Sequence, residues 1–223
     1  MLLGVPMNMG LGNCSLSSSL LGSCWQKTGA PTVTIKERKT ATAFLAIAMR
    51  RRLFGNGHPA VAQSLNNLAM LYRRKGDLTQ AEAMMREALG INRNRFGDVH
   101  PEVANQLFNL GNLATSRKDF KAAEDWFRQS LEVRRKVWPA EHPDVASAMY
   151  QLGSSLMRQG RFTEAEPLVL ASFHYNQRTL GTGHTYTQAT IKRMVEIYES
   201  IGQREKAAEF RALVKAPATA PMK

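Results

Sequence analysis

HPAVAQSLNNLAMLYRRKGDLTQAEAMMREAL, residues 58–89, reads as two amphipathic helices joined at Gly76, and its opening His returns at a fixed interval. His58, His100, His142 and His184 stand 42 residues apart, in the contexts FGNGHP, FGDVHP, WPAEHP and LGTGHT. A period of this size marks stacked units, each of which can bury its apolar face only against a neighbour. The first unit predicts a helix A over about 59–74 and a helix B over about 78–93. The later units place helix A near 101–117, 143–159 and 185–200, and helix B near 120–136, 162–178 and 204–215. Residues 36–52 align with a helix B whose own helix A is missing; this half repeat carries Phe44, Leu45, Ile47 and Met49. An end repeat exposes the face a neighbour would cover, so a docked leader, self-association through that end, or a cut from a longer array is expected.

The aligned columns have physical meanings. Leu65, Leu107, Met149 and Ile191 form one apolar column, and Leu68, Leu110, Leu152 and Met194 form another three residues on, on the same helical face. Small residues at Ala69, Gly111 and Gly153 oppose Ala81, Ala123, Ala165 and Ala207 on helix B, which predicts close packing of the pair. Leu78, Phe120 and Phe162 fill the corner where the chain reverses. Pro59, Pro101 and Pro143 fall in the first turn of helix A, where a missing N–H costs nothing. Thr79 with Glu82, and Thr163 with Glu166, have capping-box spacing at helix B, and Pro167 is read into that helix's first turn.

Composition agrees with an all-α chain. Apolar residues make up 43% of the 223, enough for a continuous core, and Leu, Ala and Met outweigh Val and Ile. The formal charge of +12 can attract nucleic acid, anionic membrane or acidic peptides. Cys14 and Cys24 both precede the repeats, so the repeats hold no disulfide and no cysteine-based metal site. A cytoplasmic setting is compatible with this, and no apolar run reaches the length of a membrane span. Residues 1–35, with Lys27 their only charge, are expected to be a disordered leader. Leu21-Gly-Ser-Cys24 resembles a lipobox that would anchor Cys24 to a membrane, but no basic residue precedes it as a signal peptide needs.

Two strings, residues 58–89 above and HPDVASAMYQLGSSLMRQGRFTEAEPL at 142–168, resemble tetratricopeptide repeats of the 42-residue kinesin-light-chain variety. The resemblance covers residues 36–215 and implies a right-handed superhelical solenoid of antiparallel helix pairs, about four full repeats plus the N-terminal half. The expected divisions are 36–56 for the half repeat, then 57–98, 99–140, 141–182 and 183–215, with 216–223 a disordered tail. No heptad segment of useful length precedes the repeats, so pairing with a motor heavy chain is not carried over.

In such arrays the A helices line a concave groove that binds peptide segments of partner proteins. The resemblance places there Asn66, Asn67, Asn105, Phe108, Asn109, Asn112, Tyr150 and Gln151, flanked by Arg74, Arg158, Lys192 and Arg193. An amide both donates and accepts, which suits clamping a peptide backbone, and Asn is a poor helix former that needs a reason to recur. The flanking cations favour acidic side chains or a terminal carboxylate, while Phe108 and Tyr150 offer flat apolar contacts.

Other signals have plainer readings. Ligands of one zinc must lie about 2 Å from it, whereas successive repeats are displaced by roughly a helix diameter, so the histidines tie each inter-repeat loop to helix A rather than hold a metal. His174 has no periodic partner and reads as a surface or packing residue. Arg50-Arg51-Arg52, Arg93 with Arg95, and Arg134-Arg135-Lys136 close B helices, where cations complement the helix dipole. Aligned into a stripe they give the alternative reading, an edge that binds nucleic acid or anionic membrane. Glu82, Glu124 and Glu166 read as helix-start charges. No phosphate loop, nucleophile elbow or metal motif occurs, so the chain is read as a non-enzymatic scaffold without cofactor, or as a fragment of a larger signalling protein built on such repeats.

Overall fold

A computed structural model describes residues 35–215, and the leader, lipobox and tail expectations fall on residues outside it, save that Ile35 opens a helix. Among the described residues the chain forms α1 (Ile35–Phe54), α2 (Pro59–Lys75), α3 (Leu78–Phe96), α4 (Pro101–Ser116), α5 (Phe120–Val137), α6 (Pro143–Arg158), α7 (Phe162–Leu180), α8 (Thr185–Ser200) and α9 (Arg204–Lys215), with no strand. Of two units the chain divides into, the second, from Lys39 on, is compact and holds the repeats. Within the second unit each helix from α2 onward packs on the next along the chain, and α6 also reaches α8, as in a solenoid.

Both apolar columns of the A helices are buried, from Leu65 and Leu68 through Ile191 and Met194. The small-residue columns explain how the pairs close. A Cβ built on Gly111 would lie 2.5 Å from the Phe127 ring, and one on Gly153 would lie 2.5 Å from Val169 Cγ2. Ala81, Ala123, Ala165 and Ala207 are buried opposite them. Helix α1 joins through Ile47, which packs with Val61, Leu65, Ala88 and Ile91, and through Arg50, which donates to the Ala60 carbonyl at 3.0 Å. Its Phe44, Leu45, Met49, Leu53 and Phe54 remain exposed.

The histidines start the A helices. In each, Nδ1 accepts from the backbone N–H two residues on, at Ala60, Glu102, Asp144 and Tyr186, over 3.1 to 3.2 Å. Such a cap is typically worth ~1 kcal/mol. Three of the rings also stack on the aromatic residue four positions earlier: His58 on Phe54, His100 on Phe96 and His142 on Trp138, with centroids 4.7, 4.1 and 4.8 Å apart. The fourth repeat has Leu180 in that column, and His184 turns to Tyr186 instead.

Helix B starts differently from the sequence expectation. Its caps are Asp77 and Asp119, whose carboxylates accept from Gln80 and Ala122 N–H, while Arg161 in the same column offers no side-chain cap. The threonines therefore lie inside the helix and no capping box forms, because the chain enters the helix at Leu78 and Phe162, ahead of Thr79 and Thr163. Pro167 sits beyond the first turn of α7, on its exposed side, and the helix runs through it. Helices α3, α5 and α7 run to Phe96, Val137 and Leu180, slightly past the expected ends. Gly97 and Gly181, with φ of 79° and 81°, end two of them in a conformation that favours glycine.

Candidate functional site

The helix-A amides assemble where α2 meets α4. A cleft of about 660 Å³ opens there, lined from α2 by Gln63, Asn66 and Asn67 behind Pro59 and Ala60, and from α4 by Glu102, Asn105, Gln106, Phe108 and Asn109. The end of α3 closes it with Asn92 and Phe96. The Asn109 amide donates to Asn66 Oδ1 at 3.3 Å, tying the two repeats together across the opening. Gln106 is only 3% exposed, yet its Oε1 has no hydrogen-bond partner. An amide oxygen so placed ordinarily finds a donor, since leaving it unmade costs ~1–3 kcal/mol.

At the next junction, between α4 and α6, an arginine occupies the equivalent space. Arg134, on α5, is 3% exposed; it donates to the Asp144 carbonyl and, at 3.3 Å, to Asn105 Oδ1. Its guanidinium lies 4.3 Å above the Phe108 ring, which also meets Phe127 edge-on. Burial lowers the pKa of this arginine from its ordinary value, with the Asp144 carboxylate opposing. Phe108 is thus partly covered, a restriction on its expected role as an open apolar contact.

Between α6 and α8 a second cleft, of about 420 Å³, is lined by Tyr150, Gln151 and Ser147 from α6, by Ser172, Tyr175, Asn176 and Leu180 from α7, and by Tyr186, Ala189 and Thr190 from α8. Arg193 is held above its ordinary pKa: burial works against the charge, but the Tyr150 hydroxyl and the Glu196 carboxylate, 2.9 Å away, outweigh it. Ser172 is 1% exposed and its hydroxyl has no partner.

The structure therefore gathers Asn66, Asn67, Asn105, Phe108 and Asn109 in one cleft, and Tyr150 and Gln151 in another with Arg193 beside them. Lys192 instead lines a hollow between α8 and α9, with Val195, Ala208 and Ala212, because helix B approaches that side of α8. Asn112, half-buried, and the exposed Arg74 and Arg158 line neither cleft; the two arginines form no ion pair among the described residues. Sequence reasoning missed Gln63, Asn92, Gln106, Asn176 and Tyr186. The polar residues Asn92 and Asn176 at one helix-B register were the available signal.

The basic clusters are largely committed elsewhere. Arg50 and Arg134 are used in packing, while Arg51, Arg93 and Lys136 pair with Glu87, Asp98 and Glu132. The repeated glutamates prove to be ties between repeats rather than helix-start charges alone. Glu82 meets Arg117 at the end of α4, and the Tyr198 hydroxyl of α8 donates to Glu166. Glu124, 2% exposed, accepts from Arg128 at 2.8 Å, Gln159 at 3.1 Å and Arg161 at 2.7 Å. Burial raises its pKa, but the Arg128 and Gln159 hydrogen bonds and the charges of Arg161 and Lys121 prevail and hold it at about 2. Among the described residues no group of His, Cys, Asp and Glu could hold a metal ion, and no helix is long and apolar enough to cross a membrane.

No curated protein matches the chain. Among solved structures, it is similar to the nearly identical TPR-like repeats of a kinesin light chain from Podosopora anserina, with a TM-score of 0.69 at 19% identity, over 81% of this chain and 85% of that one. BtubC (BKLC) from P. vanneervenii gives 0.68 at 21% identity, over 81% and 72%. MamA gives 0.57 at 14%, over 81% and 92%. These likenesses establish the fold, an all-α solenoid of the kinesin-light-chain kind. Two family models described as tetratricopeptide repeat match residues 45–94 and 62–136, and 145–186, more than half of the chain between them. The chain belongs to the tetratricopeptide repeat family, whose arrays are scaffolds for protein–protein interaction.

Proposed function

We propose that this chain is a non-catalytic scaffold that binds a peptide segment of a partner protein along its A helices. The observation that carries the reading is the concentration of carboxamides between α2 and α4, where Asn66, Asn67, Asn105, Gln106 and Asn109 share one opening with Asn92. Carboxamides pair with a peptide backbone irrespective of its side chains, which suits a module that grips extended chain. Asn67 and Asn109 belong to the first cleft and Gln151 to the second, so one ligand crossing both would meet them in turn.

Acidic preference in this reading rests on Arg74 and Arg158, exposed in the last turns of α2 and α6. Arg193 is already shared with Glu196, and Lys192 serves the α8–α9 hollow, so both contribute less. The test is titration of acidic and charge-neutral peptides into the full chain by fluorescence anisotropy. Asn67→Ala with Asn109→Ala is expected to weaken both peptide classes, and Arg74→Ala with Arg158→Ala to weaken the acidic class alone. Acidic peptides that bind the asparagine double variant unchanged would refute the clamp.

A further inference from the structure

A second, longer period runs through the clefts. Most residues lining the α2–α4 cleft have a counterpart two repeats later, 84 positions on, lining the α6–α8 cleft: Asn66 with Tyr150, Phe96 with Leu180, Glu102 with Tyr186. The register on helix B that decides whether a junction is open reads Arg50, Asn92, Arg134, Asn176. Where it is arginine the guanidinium reaches the start of the next helix A: Arg50 bonds Ala60 and Ser64 of α2, and Arg134 bonds the Asp144 carbonyl of α6 and also bridges back to Asn105 of α4. Where it is asparagine, several atoms shorter, the space becomes a cleft.

Each cleft also contains a side chain more than nine-tenths buried with an unpartnered polar atom, Gln106 Oε1 in the first and Ser172 Oγ in the second. The linings differ in chemistry. Carboxamides dominate the first, whereas Tyr150, Tyr175, Leu180 and Tyr186 make the second aromatic and apolar.

We infer that the two clefts are paired side-chain pockets for one linear peptide, with Asn92 and Asn176 holding them open and Arg134 plugging the junction between. This rests on the groove reading above. The α2–α4 pocket takes an Asn or Gln side chain, with which its carboxamides can pair by both donating and accepting. The α6–α8 pocket takes an aromatic or long aliphatic side chain. Helix spacings of ~10 Å put the pockets roughly 20 Å apart across two repeats. At ~3.3 Å per residue of extended chain, the two anchors are about six residues apart.

The experiment is selection of a random 16-residue peptide library, displayed on phage, against the full chain and its variants. Peptides selected on the unmodified chain are expected to carry an Asn or Gln and a large apolar residue at that fixed separation. Asn92→Arg, which copies the residue at positions 50 and 134, should erase the amide preference and weaken those peptides about tenfold. Asn176→Arg should erase the apolar preference by a similar factor. Asn92→Met and Asn176→Met, which fill the space without charge, should act alike, and thermal melts report whether each variant is folded. Peptides lost on Asn67→Ala with Asn109→Ala, yet indifferent to all four plugging variants, would overturn the pockets and leave the groove reading standing. If no peptide is enriched, or those enriched ignore the asparagine double variant, both fall.

Discussion

Glu124 shows how one side chain can belong to two repeats. It lies on α5, yet its partners include Gln159 and Arg161, which end α6 and start α7 in the following repeat. Its carboxyl is held at about 2 against an ordinary 4.5, so it binds fewer protons folded than unfolded. Stability from this group is therefore complete above the unfolded value and is lost as pH falls from 4.5 towards 2. A shift of this size corresponds to about 3 kcal/mol. Urea unfolding should show Glu124→Gln less stable than the unmodified chain by that order at pH 7, with the gap narrowing progressively below pH 4.5. A constant gap across that range would mean the carboxylate charge is not what the ties recognise. The glutamate column was visible in the sequence, but not its role. Alignment shows which residues share a register and is silent on which neighbouring helix end arrives beside them. The same blindness explains the unread capping aspartates and the placement of Lys192 against α9 rather than beside a cleft.

Helix pairs were the most legible part, because apolar columns at positions such as 65 and 68 admit only one buried face. The small residues between them carry the closest packing, and two glycines in neighbouring helices make opposite predictions. Gly111, on α4, has the buried Phe127 ring where a Cβ would go, so Gly111→Ala must displace a side chain 1% exposed. Overpacking of this kind costs ~1–3 kcal/mol, more than the ~1 kcal/mol that alanine returns in helix propensity. Gly90, on α3, is exposed with nothing within 4 Å of its Cβ position, so Gly90→Ala should stabilise by about 0.5–1 kcal/mol. Thermal melts of the two variants check the pair: Gly111→Ala is expected below the unmodified chain and Gly90→Ala above it. The clefts were less legible than the helices. The amide face could be read from α2 and α4, but the residues that gate it sit on helix B, in a register whose alternation spans two repeats instead of one.

A solenoid distributes its stability through nearest neighbours, so an end repeat can present an apolar face that inner repeats cover. On α1, Leu45 is 64% exposed, Met49 62% and Leu53 70%, while Ile47 on the opposite side is buried against α2 and α3. Large apolar side chains in one neighbourhood favour association when a second apolar face is available, and a copy of the same helix supplies one in an isologous pairing. We expect the average mass from light scattering to rise with protein concentration through this face. Leu45→Lys with Met49→Lys should abolish that rise while leaving the melting temperature almost unchanged, because both side chains are already in contact with solvent. The A-helix face is separate from it, so the same double variant should bind peptides as the unmodified chain does. A strict monomer at every concentration would remove association through α1. A rise that persists in the lysine variant would move the contact elsewhere, and the apolar hollow between α8 and α9, lined by Val195, Ala208, Ala212 and Val214, is the next surface to substitute.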